Sequence, residues 1–331
     1  TVAWETVLPI FGGVTLIAGT LLGARQTDLK LMLAYTTMAS LGLLVMLTGF
    51  GTEGAIAGAV LYLIAHSMFK GGLFMVAGNV DHEAGTRDIT RLGGLAGAMP
   101  VTFVAALFAA ISMGGLPPFV GFLAKEEIYY GLAKGDTWSV VFTIVAIVGN
   151  ALMFVLGFAV ALKPFLGPKV ETPKHAHEGP VLLLAGPVVL ALGSLFFALF
   201  SGWSHEHFST PMASAVMGHA AEITISIIPH LGLALYLSLG TIALGVLLYL
   251  SLAKIRSGMA ALLAGIGWGP DRGFDQLIAG LVRMSVALTR FVQPGRLDIY
   301  MTVTFLMIAA ALIGPMAWYG EWPSLPAWPE F

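Results

Sequence analysis

Cysteine is missing from this chain altogether. That excludes disulfide staples, thiolate metal sites and a cysteine nucleophile, and leaves the compartment open. Charge is almost as scarce. Only 10% of the 331 residues are Asp, Glu, Lys or Arg, against 57% hydrophobic. A soluble domain carries roughly 25% charged residues, so most of this surface must face lipid. The mean hydropathy of +0.88 says the same. A formal net charge of −2 with no basic patch argues against a nucleic-acid partner. No phosphate loop, nucleophile elbow or dinucleotide fingerprint is present, so neither a cofactor nor a catalytic residue is expected. His175-x-His177 and His205-x-His207 sit in expected loops without convergent ligands, and no metal is expected there. The opening residues run straight into an apolar stretch, with no basic n-region or cleavage site. The expectation is therefore an interior or processed piece of something longer.

What is present is a series of long apolar runs. About 20 residues cross a hydrocarbon core of about 30 Å. On that ruler spans fall at 3–24, 31–50, 54–79, 100–133 (with a break), 138–162, 180–201, 230–252 and 300–319. The expected fold is all-α, a polytopic bundle of about eight spans with one discontinuous helix. Lys and Arg test the layout. Arg25, Lys30, Arg87, Arg91, Lys163, Lys169, Lys174, Lys254, Arg256, Arg272, Arg283, Arg290 and Arg296 collect on one side, and Lys134 alone on the other. By the positive-inside rule the first side is cytoplasmic and both ends face out. Trp4, Trp138, Trp203, Trp318 and Trp322 mark the outer span ends as an aromatic belt would. Residues 271–292 differ: Phe274, Leu277, Ile278, Leu281 and Leu288 share one face, with Gln276, Arg283 and Arg290 on another. This reads as an amphipathic helix on the cytoplasmic interface, or alternatively as one packed on neighbouring spans.

Charge inside the spans carries the functional reading. His66 lies near the middle of 54–79, and Lys70 one turn further on the same face. A lysine at a helix centre costs about 3 kcal/mol on insertion scales, so it demands a use or a partner. Together the two could relay a proton; alternatively Lys70 snorkels or sits in a static ion pair. In 100–133 the run from Gly114 to Gly121 holds Gly115, Pro117 and Pro118. Consecutive prolines remove donors and block helix continuation, while a proline can open the next helix. Two half-helices around an unwound stretch are expected, as at ion sites of transporters. Lys125, Glu126 and Glu127 follow in the second half-helix. Its positive dipole end favours the carboxylates and disfavours the ammonium; alternatively these charges lie at the outer interface. Asp28 and Lys30 open span 31–50. Asp81, His82 and Glu83, with Arg87 and Asp88, are placed in the next cytoplasmic loop as an ion entrance or as a plain ion-paired loop. Asn150 falls mid-span, for relay or for a helix–helix hydrogen bond.

At these residues the chain becomes familiar. QTDLKLMLAYTTM (26–38) and HSMFKGGLF (66–74) resemble the antiporter-like, proton-translocating subunits of respiratory complex I and its relatives. VDHEAGTRDI (80–89), MPVTF (99–103) and MGGLPPFVGFLAKE (113–126) are most similar to the A subunits of Mrp-type multisubunit Na⁺/H⁺ antiporters. The likeness is dense over 26–130 and thin beyond 165. The resemblance implies a fold of two five-helix units joined by a polar axis at mid-membrane, with this chain carrying the second unit over 1–165. Further membrane helices would occupy 166–331. It implies that Lys70 is the bridging lysine, Lys125 the broken-helix lysine, His66 the relay histidine and Lys30 a further relay lysine. Asp81, His82, Glu83, Asp28 and Glu126 then serve ion entry or coupling. Where many relatives carry a second histidine this chain has Tyr62. Further implications are a bacterial cell-membrane location, other membrane subunits as partners, H⁺ and Na⁺ or another monovalent cation as cargo, and a fragment unable to transport alone. The rival readings are a structural scaffold, and a homologous subunit of a redox-driven complex or of an inorganic-carbon transporter.

The cysteine-free background makes sidedness directly testable. Glu171→Cys should react with a membrane-impermeant maleimide only in everted vesicles, and Glu321→Cys only in intact cells. The reverse pattern would overturn the orientation.

Overall fold

The computed structural model describes residues 2–133, 135–221, 232–266, 269–293 and 295–324. Lys134, the lone basic residue assigned to the outer side, lies outside the described residues. The chain divides into two compact units, Thr1–Ala260 and Ala261–Phe331.

In the first unit, α1 (Val2–Arg25) and α2 (Leu29–Phe50) form a tight hairpin. A Cβ on Gly12 would lie 2.4 Å from the Met46 nitrogen, so only a residue without one lets the two backbones approach this closely. Asp28 starts α2 by accepting from the Lys30 and Leu31 amides at 2.9 and 3.0 Å, and Gly51 at φ +66° ends it. α3 (Glu53–Ala84) is capped by Thr52 and terminated by Gly85 at φ +74°. It is the hub of the unit, packed on by α2, α4 (Pro100–Gly114), α5 (Val120–Leu132) and α7 (Val181–Leu199). α6 (Thr137–Leu162), capped by Asp136, packs against α4, α1 and α10 (Leu233–Leu250).

Two helix ends are closed from far away in the sequence. Met99 offers α4 no side-chain cap; Glu178 instead accepts from the Val101 amide at 2.7 Å and from the Thr102 amide and hydroxyl. A carboxylate at the positive end of a helix suits both the orphan amides and the dipole. At the other polarity Arg256, in α11 (Leu252–Ile266), donates to the Ala24 and Gln26 carbonyls past the end of α1.

Among the described residues seven helices are long and apolar enough to cross a membrane, and the shorter apolar α4 is followed after the break by α5. The architecture is the all-α polytopic bundle expected. Two local expectations need correction. Asp81, His82 and Glu83 are not in a loop but in the last turn of α3, because the helix continues beyond its apolar stretch until Gly85 supplies a left-handed cap. His205-x-His207 likewise belongs to a π-helical turn, His205–Ser209, between α8 (Ser201–Ser204) and α9 (Thr210–Met217). A π turn absorbs the extra residue without breaking the run. The span expected from residue 230 begins as α10 at Leu233; residues 230 and 231 lie outside the described residues.

In the second unit α12 (Pro270–Val292) matches the amphipathic segment expected at 271–292. α13 (Leu297–Tyr319) is a span with no buried residue. Its apolar surface needs lipid or another protein to cover it.

Loss of the distant cap should be measurable. Glu178→Ala should destabilise the detergent-solubilised protein by about 1 kcal/mol, the usual cost of a lost cap, read as a lower apparent Tm. Glu178→Gln, which keeps an acceptor oxygen, should lose less.

Candidate ion-translocation site

Lys70 projects from α3 towards α2 and is buried, with 4% of its surface exposed. Its Nζ donates to the Leu33 carbonyl at 3.1 Å and to the Thr36 hydroxyl. Neither partner carries charge. Among the described residues no carboxylate pairs with this lysine. One turn earlier on the same face His66 is also buried, and its Nε2 has no hydrogen-bond partner among the described residues. Its ring meets Phe69 edge-on at 5.6 Å. A further turn back Tyr62 shares a 3.0 Å hydrogen bond with Ser40 Oγ. Tyr62, His66 and Lys70 thus form one stripe at four-residue spacing on α3, opposed by Ser40 and Thr36 at the same spacing on α2. The Tyr62 hydroxyl takes a hydrogen-bonded place on this stripe.

The broken helix has the arrangement its sequence foretold. α4 ends at Gly114; Gly115 adopts φ +74°, open to glycine at little cost, and its N–H returns to Ile111 and Ser112 carbonyls. Pro117 and Pro118 follow, and α5 begins at Val120. Lys125 is buried, 3% exposed. Its side chain folds back over the break and its Nζ donates to the Gly114 carbonyl at 2.9 Å. A Cβ on Gly115 would sit 2.4 Å from Lys125 Cδ. On Gly121 it would come within 1.8 Å of the Ser112 carbonyl oxygen. Both glycines are therefore dictated by the crossing of the two half-helices. The dipole expectation needs amending here. Lys125 does sit near the positive end of α5, but its ammonium reaches the negative end of α4, so the two macrodipoles act in opposition.

Around Lys125 lies a second neutral network. Tyr129, one turn on, shares a 2.8 Å hydrogen bond with Thr241 of α10 and accepts from Asn150 of α6 at 3.2 Å. Asn150 Oδ1 has no partner among the described residues. α3 and α5 run antiparallel in close contact: Cβ atoms on Gly54 and Gly58 would meet Gly131 Cα at 3.0 Å and the Ile128 nitrogen at 2.9 Å. One more turn of that register brings Tyr62 level with Lys125. Glu126 and Glu127 are half-buried on the same half-helix.

At the far end of α3 the predicted charges sort into two groups. Lys30 pairs with Asp81 at 2.7 Å, both half exposed. Asp28, besides capping α2, pairs with Arg87, and an antiparallel backbone bridge joins Asp28 to Asp88. The amide and hydroxyl of Thr90 hold the Asp88 carboxyl below its usual range. Glu83 is buried and meets His82 Nδ1 at 2.9 Å and His177 Nε2 at 3.3 Å.

Sequence reading missed Thr36, Ser40, Tyr129, Thr241, His177 and Glu178. Thr36 and Ser40, or Lys125 and Tyr129, are visible as four-residue pairs. Nothing in the sequence links Glu83 to His177, which lies in a different connection.

Comparison with known proteins adds a family context. Residues 1–153 match the family model described as NADH:quinone oxidoreductase/Mrp antiporter, TM. The chain is 37% identical over 238 residues to the A1 subunit of the Na⁺/H⁺ antiporter of Staphylococcus haemolyticus, covering 65% of this chain and 30% of that protein. It is 39% identical over 218 residues to the A subunit of the Na⁺/H⁺ antiporter of Bacillus subtilis, covering 59% and 27%. The chain thus spans less than a third of the length of these relatives. The 65% matched carries the likeness past residue 165. Among solved structures, the Mrp complex from Dietzia sp. superposes with TM-score 0.83 at 27% identity, over 99% of this chain and 35% of that one. An archaeal membrane-bound sulfane sulfur reductase superposes with TM-score 0.68 at 20% identity, over 92% and 56%, a likeness of fold.

The contact at Gly121 yields a sharp expectation. Gly121→Ala should sharply reduce the amount of assembled protein in the membrane, since overpacking against backbone costs about 1–3 kcal/mol or more. Gly97→Ala, where nothing lies within 4 Å of the added atom, should assemble normally. Equal yields of the two would mean that the half-helices do not cross this closely.

Proposed function

From the match of residues 1–153 to the NADH:quinone oxidoreductase/Mrp antiporter transmembrane family model, we propose that this chain is part of a proton-translocating subunit of a multisubunit monovalent-cation/H⁺ antiporter. Residues 1–165 form the proton-translocating unit and 166–331 supply additional membrane helices. The observation that supports this best is a pair of buried lysines whose hydrogen-bond partners are neutral, Leu33 and Thr36 for Lys70 and Gly114 for Lys125. A lysine without a counter-ion can lose its proton and leave no stranded carboxylate, which is the requirement for a carrier. A structural ion pair would lock the proton in place.

In this reading protons exchange between Lys125 in the outer half and Lys70 with His66 near the centre. They reach the cytoplasmic side past Lys30, Asp81, His82 and Glu83. Asp28 positions Lys30 by starting α2, and Glu126 helps set the field around Lys125. The alternating Ser, Thr and Tyr hydroxyls beside the lysines can each accept one hydrogen bond while donating another, so they suit proton passage. Na⁺ or another monovalent cation is the counter-cargo, and other membrane subunits cover the exposed apolar faces. The chain lies in a bacterial cell membrane with its basic loops in the cytoplasm.

Substitutions in the assembled complex test this. Lys70→Ala should abolish cation-dependent proton exchange in everted vesicles without loss of assembly. Lys125→Arg should also assemble and lose most exchange, because a guanidinium with a pKa above about 12 keeps its proton. A fully active Arg variant would remove Lys125 from the path, and normal rates in Lys70→Ala would defeat the relay as a whole.

A further inference from the structure

The last turn of α3 and the segment between α6 and α7 meet at one carboxylate, and the sequence gives no sign of that meeting. Glu83 is only 5% exposed, whereas the two imidazoles on it, His82 and His177, have side chains 66% and 65% exposed. A buried carboxylate is thus approached from water through two histidines. The segment is pinned there. The Lys174 amide donates to the Ala84 carbonyl at 3.1 Å, its Nζ donates to the His82 carbonyl at 3.0 Å, and Glu178 caps α4. His177 therefore stands on Glu83 because backbone on both sides of it is fixed.

Its hydrogen bonds then count protons. His177 Nδ1 faces the Glu178 carbonyl oxygen at 3.0 Å, and a carbonyl only accepts, so Nδ1 carries hydrogen. Nε2 of the same ring faces Glu83 Oε2 at 3.3 Å. A neutral imidazole protonated at Nδ1 would set a lone pair against a carboxylate oxygen. The geometry is complete only when the pair holds one more proton, on Nε2 or on Oε2. His82 needs none of it, since its Nδ1–H can serve Oε1 at 2.9 Å with its own proton.

We propose that Glu83 and His177 form a proton-loading site at the end of α3, with His177 as the group that exchanges protons with water. The N–H bond at Nε2 breaks as an O–H bond forms on Oε2. The imidazole is left neutral with Nδ1–H still on the Glu178 carbonyl, and it is recharged from solvent. The other charges at this end are Asp81 with Lys30 of α2, Lys174 and Glu178 of the strap, and Arg87 beyond the helix, paired with Asp28. Lys30 is thereby paired with Asp81 and Arg87 with Asp28, not with Glu83.

This inference rests on the proton-relay reading above, and the test separates the two. The probe is cation-driven proton uptake from the medium by the full complex in Na⁺-loaded everted vesicles, which runs the exchange inward from the His177 side, across about pH 5 to 8, the range in which histidine side chains change charge. Where bulk protons are scarce, capture by a surface histidine limits the rate; where they are plentiful it does not. His177→Gln, which keeps a donor for Glu178, should slow exchange about tenfold at the alkaline end, a modest loss for a positioned proton-transfer group. It should approach wild type at the acid end, and added imidazole should restore the alkaline rate. Glu83→Gln should show the same alkaline loss without rescue. Wild-type rates for His177→Gln at every pH, or a uniform loss that imidazole leaves unchanged, would overturn the site. If Lys70→Ala abolishes exchange in the same vesicles while His177→Gln behaves as wild type, only this inference fails. If Lys70→Ala remains active, the wider reading fails with it.

Discussion

Backbone at hydrocarbon depth must satisfy its own polar groups, since lipid offers no hydrogen bonds. The break between α4 and α5 violates helix continuity where this is most expensive, and the Lys125 contact to the Gly114 carbonyl answers it. That one bond ties the architecture to the chemistry. It supplies a freed carbonyl with a donor, and it holds an ammonium inside the bundle. Gly115 makes the reversal and leaves room for the lysine stem, while Gly121 lets α5 pass against the Ser112 carbonyl. An ammonium that gives up its proton still leaves an amine able to donate to the same oxygen. The break can therefore remain closed in both protonation states, as the proposed carrier role requires.

α3 organises the rest. Its close approach to α5 through Gly54 and Gly58 sets the level of Tyr62 against Lys125. Further along the helix Lys70 meets Thr36 of α2. Because one helix carries Tyr62, His66, Lys70, Asp81 and Glu83, Lys70 and Glu83 are spaced by a rigid ruler of about 1.5 Å per residue. The segment after α6 closes the far end, capping α4 with Glu178 and bringing His177 onto Glu83. A single strap thus holds both the half-helix with the break and the helix with the central lysine.

Much of this was legible in advance, for reasons of period and cost. Eight crossings followed from run length, the break from Gly115, Pro117, Pro118 and Gly121, and the amphipathic character of α12 from its two-faced composition. Lys70 and Lys125 stood out because a charge in an apolar run is costly wherever it lands. The same reasoning misplaced Asp81, His82 and Glu83 into a loop, since an apolar ruler stops where hydropathy falls, whereas the helix stops at its cap at Gly85. It also set Lys125 against one helix dipole when the fold sets it between two.

By itself the sequence determined that this chain spans a membrane, how many times, where one span must break and which cations lie within the apolar runs. Those are properties of local composition, and local composition needs no partner to act. Only the tertiary structure decided what each buried group touches: Leu33 and Thr36 for Lys70, Ser40 for Tyr62, Asn150 and Thr241 for Tyr129, Gly114 for Lys125. It also brought His177 to Glu83 across 94 positions. Hydropathy says that a residue is buried but not against which atom, because that depends on the register and crossing of helices set by backbone approach at a few glycines.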